Sequence, residues 1–471
     1  MSDNGAEEFD VVVVGAGFAG LYLLHLLRGQ GFRTDLRRDI RFETRVAGAV
    51  WNETDSRWTV TTERGDILSA QHYIMATGCL STSKLPEIPG VETYAGESYH
   101  TGRWPHVPVD FAAKRVGVIG TGSSAIQSIP IIAEQAAQVT VFQRTPNFSV
   151  PASNGPNDAD ELAAVKARYP EYREGNRASV GGVPLTPPER SVLEVSDQER
   201  EAAFESGWAE GGIFALSARF NDLRTDEGAN EHAAEFVRNK IRAKVNDPEV
   251  AEILCPTTYP FGTKRLCVDS HYFETYNRDN VRLVDLRQDP ITSITPSGIN
   301  TEAESFEFDA LVFATGFDAM TGTIVAVDIE GVGGLTIKDK WADGPLTNLG
   351  LMVAGFPNFF TVTGPGSPSV LSNMMVSIEQ HAEWITDCIV HLRENGLATI
   401  ESTEAAEGAW VRHVNELADA TLMKQANSWY LGANVPGKPR VFMPYIGGVG
   451  PYRDECNAVV ADGYRGFALS S

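Results

Sequence analysis

With 471 residues the chain has length for roughly three domains, and its net charge of −23 gives it a surface dominated by carboxylates. Nucleic acid and anionic membrane surfaces want clustered Lys and Arg, so both are excluded as partners. No apolar run of about 18 residues occurs, Met1-Ser-Asp-Asn-Gly-Ala-Glu-Glu8 lacks the basic and apolar parts of a leader, and a cytoplasmic protein is expected.

Asp10-Val11-Val12-Val13-Val14 is apolar without alternation and predicts a buried parallel strand, followed after a glycine turn by an amphipathic helix to about Gln30. The turn, Gly15-Ala16-Gly17-Phe18-Ala19-Gly20, stands where a dinucleotide fold needs glycine. One glycine permits the tight bend, one lets backbone approach a pyrophosphate, and one lets helix pack on strand. Gly15, Gly17, Phe18, Ala19 and Gly20 are therefore expected to bind a cofactor. A second buried strand ending in an acid should follow about 20 residues on, to hold the ribose hydroxyls. Instead the chain reads Phe32-Arg33-Thr34-Asp35-Leu36-Arg37-Arg38-Asp39, too charged for a strand covered on both faces, so Asp39 has the spacing but the wrong setting.

Residues 40–75 alternate as a β-meander and end in Ala76-Thr77-Gly78, a strand-end turn repeated at Ala314-Thr315-Gly316; the pair predicts two crossings between domains. Between them lies a second glycine turn, Gly120-Thr121-Gly122-Ser123-Ser124-Ala125, with Gln127 on its helix, followed by the strand Val139-Thr140-Val141-Phe142. That strand ends in Gln143-Arg144-Thr145. An acid there would grip an unmodified ribose; Arg144 and the Thr145 hydroxyl instead suit a 2′-phosphate, predicting NADPH over NADH.

Residues from about 155 to 255 are acidic, Ala-rich and helix-favouring, with a capping box at Ser196-Asp-Gln-Glu199, and predict a helical insertion. A Pro/Gly-framed loop, Tyr259-Pro-Phe-Gly262-Thr-Lys264-Arg265, then presents two adjacent cations. Gly355 to Pro368 reads as a strand and glycine turn, followed by a helix from about Asn373 to Leu392. The Gly- and Pro-containing stretch Trp429 to Lys438 suits a lid. Cys79, Cys255, Cys267, Cys388 and Cys456 are scattered without CxxC spacing, which disfavours a zinc site, a disulfide framework or a redox dithiol, and no metal is expected.

The linker between the two glycine turns, Tyr94-Ala-Gly96-Glu-Ser-Tyr-His100-Thr-Gly-Arg-Trp104-Pro105, resembles the fingerprint of Baeyer-Villiger monooxygenases, with Tyr94 where the family usually has Phe. The resemblance runs along nearly the whole chain outside one gap. It implies FAD on the first turn and NADP on the second, with NADPH and O2 consumed to convert an aryl or cyclic ketone to an ester or lactone. It gives Lys264 to the 2′-phosphate and makes Arg265 the active-site arginine. It sets Asn373, Met374 and Trp429 against the cofactors and lines the ketone pocket with Ser369, Val370, Leu371, Ser372 and Met374. Gly96, His100 and Trp104 are read as coupling elements between domains. The same comparison implies that about 70 residues are absent between Thr34 and Asp35, an internal piece on the scale of domain segments. That piece would hold the ribose acid, a flavin-lining segment and the Asp that pairs with the arginine.

The expected fold is α/β, two Rossmann-like domains with a helical insertion, the first discontinuous and truncated. The boundaries are 1–79 and 316–471 for the FAD domain, 80–154 and 260–315 for the NADP domain, and 155–259 for the insertion. A monomer is expected. Two other functions stand beside ketone oxidation: a flavin monooxygenase of sulfides or amines, and a noncatalytic remnant that binds NADPH without flavin.

Overall fold

The computed structural model describes residues 6–32 and 38–471. Strand β1 (Glu7–Val14) runs into Gly15, whose φ of +111° favours glycine, and the chain then enters helix α1 (Phe18–Gly29). A meander follows: β2 (Val46–Asn52), β3 (Arg57–Thr62) and β4 (Ile67–Met75), antiparallel neighbours with Trp58 fully buried and its indole N–H donated to the Pro357 carbonyl at 2.8 Å.

After a short β5 (Glu97–His100), the second unit is assembled from β6 (Arg115–Ile119), α2 (Ser123–Gln135) and β7 (Gln138–Gln143). Helices α3 (Ala159–Ala167), α4 (Tyr169–Ala178), α5 (Asp197–Glu210), α6 (Glu227–Lys244) and α7 (Pro248–Leu254) interrupt it before β8 (Val281–Asp285) and β9 (Ala310–Phe313). The capping box forms at the head of α5: Ser196 Oγ accepts from the Glu199 amide while Glu199 Oε2 accepts from the Ser196 amide. Phe204, Phe236, Val237, Ile241 and Leu254 of the insertion share one core with Val116, Val118 and Val141, so α5, α6 and α7 belong to the body of the second unit. The chain then returns to the first sheet with β10 (Asp328–Glu330), β11 (Phe359–Thr361) and α8 (Met374–Glu394). No helix among the described residues is long and apolar enough to cross a membrane.

The two units differ where they ought to match. The second sheet, ordered β8-β7-β6-β9-β5, is parallel throughout, and β6 has a neighbour on each side along its length. Its residues Val116 to Ile119 are buried. The first sheet is ordered β1-β4-β3-β2-β10, with β11 pairing the C-terminal part of β4 beyond the reach of β3. Here β1 pairs with β4 from Glu7 to Val14 and, among the described residues, ends the sheet. The buried strand expected from Val11-Val12-Val13-Val14 is therefore an edge strand, its first half exposed and its valines half-buried. On the adjoining helix Phe18 is 70% and Leu21 40% exposed.

Candidate active site

Each glycine turn is pressed against one of the two predicted crossings. A Cβ on Gly15 would stand 2.4 Å from the Ala76 carbonyl oxygen, and one on Gly120 (φ +105°) 2.6 Å from that of Ala314. A Cβ on Gly20 would meet the Gly15 carbonyl at 1.9 Å, so that glycine lets helix close on strand; in the second turn the corresponding Ala125 is accommodated fully buried. The middle glycines behave differently. Gly17 and Gly122 have nothing within 4 Å of a built Cβ, and as N-caps of α1 and α2 they leave the first-turn amides without a side-chain cap. Open space before uncapped amides at a positive helix end is what an approaching phosphate needs. Ser123, Ser124 and Gln127 stand on the first turns of α2, with Gln127 Nε2 donating to Ser123 Oγ at 3.1 Å.

The crossings are tied to each other. The Lys84 amide donates to the Gly316 carbonyl at 3.1 Å and Thr315 Oγ1 to the Lys84 carbonyl at 2.6 Å. His100 reaches the same point: its Nδ1 accepts from the Gly102 amide at 2.9 Å, which leaves the proton on Nε2, 3.2 Å from the Lys84 carbonyl oxygen. Burial lowers the His100 pKa and favours this neutral form. Gly96 and Trp104 sit apart from that tie. The Tyr94 ring folds over Gly96, where a Cβ would lie 2.4 Å from the phenol oxygen, and donates to the Phe308 carbonyl at 2.9 Å. Trp104 lies on Tyr99 and Phe111, ring centroids 5.5 and 6.2 Å away.

At the end of β7, Arg144 is exposed and Thr145 lies against the second glycine turn, its carbonyl accepting from buried Thr121 Oγ1 at 3.1 Å. Asn147, which the sequence reading did not single out, donates from Nδ2 to the Thr121 carbonyl at 2.7 Å and fixes the same corner. Lys264 Nζ stands 4.4 Å from the Tyr259 ring centroid. Burial, and secondarily the Arg144 charge, depress its pKa to about 8. Two cations held close are a site for a doubly charged phosphate. A 2′-phosphate bound beside Lys264 would stabilise its cation, so above about pH 8 binding would take up a proton and NADPH affinity is expected to fall by up to about tenfold per pH unit. NADH, lacking that phosphate, and the Lys264→Met variant should both show a flat profile in a fluorescence titration; a slope that survives in the variant would assign the titration to another group.

Arg265 turns the other way, into the junction of the domains. Its Nη1 donates to the Val370 carbonyl at 3.1 Å, and its guanidinium lies beside the hydroxyl of Tyr430. Burial pushes the Tyr430 hydroxyl up to about 12, while Arg265 and, more weakly, Arg224 favour its anion. Val370 belongs to a tight turn in which buried Ser369 holds φ +42° and Ser372 Oγ donates to the Ser369 carbonyl at 2.9 Å. Asn373 caps α8 by accepting from the Met375 amide at 3.1 Å. Val370 and Tyr430 pack with Cys79 and Ala319 of the crossings in one apolar cluster, against which Leu371, Met374 and Trp429 also lie. The loop carrying Trp429 is pinned farther along, where Asn434 Nδ2 donates to the Phe317 carbonyl at 2.7 Å and Lys438 Nζ pairs with Asp318 at 2.6 Å. Sequence reasoning missed Tyr430; its only signal was adjacency to Trp429.

One expectation is displaced. Arg41 pairs with Glu7 and lies over Phe9, at the N-terminal end of β1. Asp39 lies two residues before it in the chain, toward the end of the strand away from Gly15. The proposed junction at Thr34 and Asp35 lies outside the described residues.

Comparison with known proteins fits this geometry. Residues 35–156 match the pyridine nucleotide-disulphide oxidoreductase family. The five cysteines here are all buried and free. The chain is 42% identical to an acetone monooxygenase (methyl acetate-forming) of Gordonia sp. strain TY-5, over 93% of this chain and 82% of that one. It is 37% identical to a Baeyer-Villiger monooxygenase of Pseudooceanicola batsensis across 525 aligned positions, which take in 97% of this chain and 95% of the relative. Among solved structures, the OTEMO complex with FAD and NADP superposes with a TM-score of 0.95 at 35% identity, covering 99% of this chain and 100% of the other. Identity at this level over nearly the full length of both partners, on a frame of two glycine turns joined at their crossings, makes the chain a member of the Baeyer-Villiger family of flavoprotein monooxygenases.

Proposed function

We propose that the protein is an FAD-containing, NADPH-dependent monooxygenase that inserts one atom of O2 beside a ketone carbonyl, giving an ester or lactone, with the second atom leaving as water and NADPH becoming NADP+. The observation that carries this reading is the meeting of Arg265, the Val370 turn and the Trp429–Tyr430 loop at the junction between two phosphate-ready glycine turns. When bound, FAD supplies the redox chemistry, taking electrons from NADPH and activating O2. The space before Gly17 and the uncapped start of α1 fit its pyrophosphate. Arg144, Thr145 and Lys264 hold the 2′-phosphate of NADPH. Arg265 steadies negative charge on the reacting oxygen, a task for a fixed guanidinium. Ser369, Val370, Leu371, Ser372 and Met374 form the ketone wall and Trp429 closes over it, while His100 keeps the crossings, and so the two cofactors, in register.

The finer reading is a likeness to phenylacetone monooxygenase, with aryl and small cyclic ketones as substrates; the apolar lining of Val370, Leu371, Met374 and Trp429 supports it. One copy carries both turns, the cation pair and Arg265, which supports a monomer as the working unit, and the acidic surface suits the cytoplasm. An internal loss of about 70 residues after α1 is supported by the open edge of β1 and by the 525 positions aligned with the Pseudooceanicola relative against 471 residues here, which leave at least 54 without a counterpart.

The test is NADPH oxidation by FAD-loaded protein with and without an aryl ketone, with products separated by gas chromatography. Ketone-dependent consumption of O2 with ester formation is expected. Sulfoxide from sulfides with no ester would move the assignment to heteroatom oxidation, and NADP+ binding without flavin uptake would make the chain a remnant.

A further inference from the structure

The two halves of the molecule allow one nucleotide site to be read against the other. In the second unit β7 pairs with β6 residue for residue, Arg115 to Ile119 against Gln138 to Phe142, and its end delivers Arg144 and Thr145 to the ribose side of the glycine turn. In the first unit no strand among the described residues pairs the corresponding side of β1. Only 16 residues separate Gly29 from Val46, and those described among them run toward the Glu7 end of β1, where Arg41 pairs. What remains at the Gly15 end is the phosphate cradle: the opening before Gly17, the uncapped amides of α1, and Phe18 with 70% of its surface in solvent.

A dinucleotide fold grips adenosine chiefly through the acid at the end of that neighbouring strand and through the walls the strand supports. Without them a ligand is held by its phosphate and by its other half. On the flavin reading, the isoalloxazine end would be served from elsewhere in the chain, where the Val370 turn, the start of α8 and the Arg265 loop meet. We propose that the flavin site of this chain recognises a flavin phosphate and is nearly indifferent to adenosine, so that FMN and FAD bind with comparable strength. The inference rests on the flavin reading given above and deepens it.

The test uses the full chain with its second site filled by saturating NADP+, titrated with FAD, FMN and riboflavin and followed by flavin fluorescence and by calorimetry. Dissociation constants for FAD and FMN within about tenfold of each other are expected, with riboflavin at least about tenfold weaker than either because the cradle then has no phosphate to hold. FAD binding more than about tenfold tighter than FMN would overturn the proposal, showing that adenosine is held after all, while leaving the monooxygenase reading intact. Equal affinity for riboflavin and FMN would overturn it from the other side, since the cradle would then contribute nothing. No flavin binding at all would end both this inference and the reading on which it rests.

Discussion

Arg265→Ala should abolish ester formation while leaving NADP+ binding untouched. The guanidinium is held by one strong contact, Nη1 to the Val370 carbonyl at 3.1 Å, with the buried Tyr430 hydroxyl beside it. Among the described residues it makes no ion pair within 4.0 Å. Its charge is therefore not spent on a structural carboxylate and remains available to an anionic oxygen in the cleft. Removing one positioned donor of this kind costs about 10² to 10³ in kcat, and deleting a full positive charge belongs at the upper end. Arg144 and Lys264, proposed to hold the 2′-phosphate, are left in place, so the Kd for NADP+ should move by less than about twofold. Product quantified by gas chromatography, beside a fluorescence titration with NADP+, separates the two effects. Ester formation at more than about a tenth of the parent rate would remove Arg265 from the chemistry.

Gly122→Val and Gly17→Val should each remove one cofactor and spare the fold. Both residues sit at ordinary φ, −79° and −81°, and neither has an atom within 4 Å of a built Cβ, so a valine there is accepted by the protein. Its methyl groups fill the opening through which a pyrophosphate must reach the first-turn amides, and affinity should fall by at least about 100-fold. Gly122→Val is expected to lose NADP+ and keep flavin, Gly17→Val the reverse, with melting temperatures within a few degrees of the parent. Gly120→Val is the contrasting control. At φ +105° and 2.6 Å from the Ala314 carbonyl, it should unfold the second unit rather than empty it. A Gly122→Val protein that binds NADP+ normally would show that the phosphate enters by another route.

Much of the site was legible because its chemistry is local. A glycine turn after a strand and a capping box are each fixed by residues near in sequence, and Gly15, Gly122 and Ser196 stand where such rules put them. What escaped depends on distant neighbours. Four consecutive valines describe a strand covered on both sides, yet whether Val11 to Val14 are covered is decided by a second partner strand, and none occurs among the described residues. Tyr430 carries no pattern of its own and becomes notable only because the fold brings Arg265 to it across 165 positions of sequence. His100 was read as a coupling residue from its place between two turns. Its link to Lys84 and Thr315 is a tertiary fact.

The side of β1 that no described strand pairs has a meaning beyond ligand choice. A strand with an unpaired edge presents alternate N–H and C=O groups to any extended chain that passes, and proteins ordinarily blunt such edges with charge or cover. Here Glu7, Glu8 and Asp10 guard the first half of the strand, whereas Val11 to Val14 continue it with no charge at all. Self-association of heated or half-folded copies would begin along those four residues, so the same gap that loosens the grip on adenosine also opens a route to aggregation.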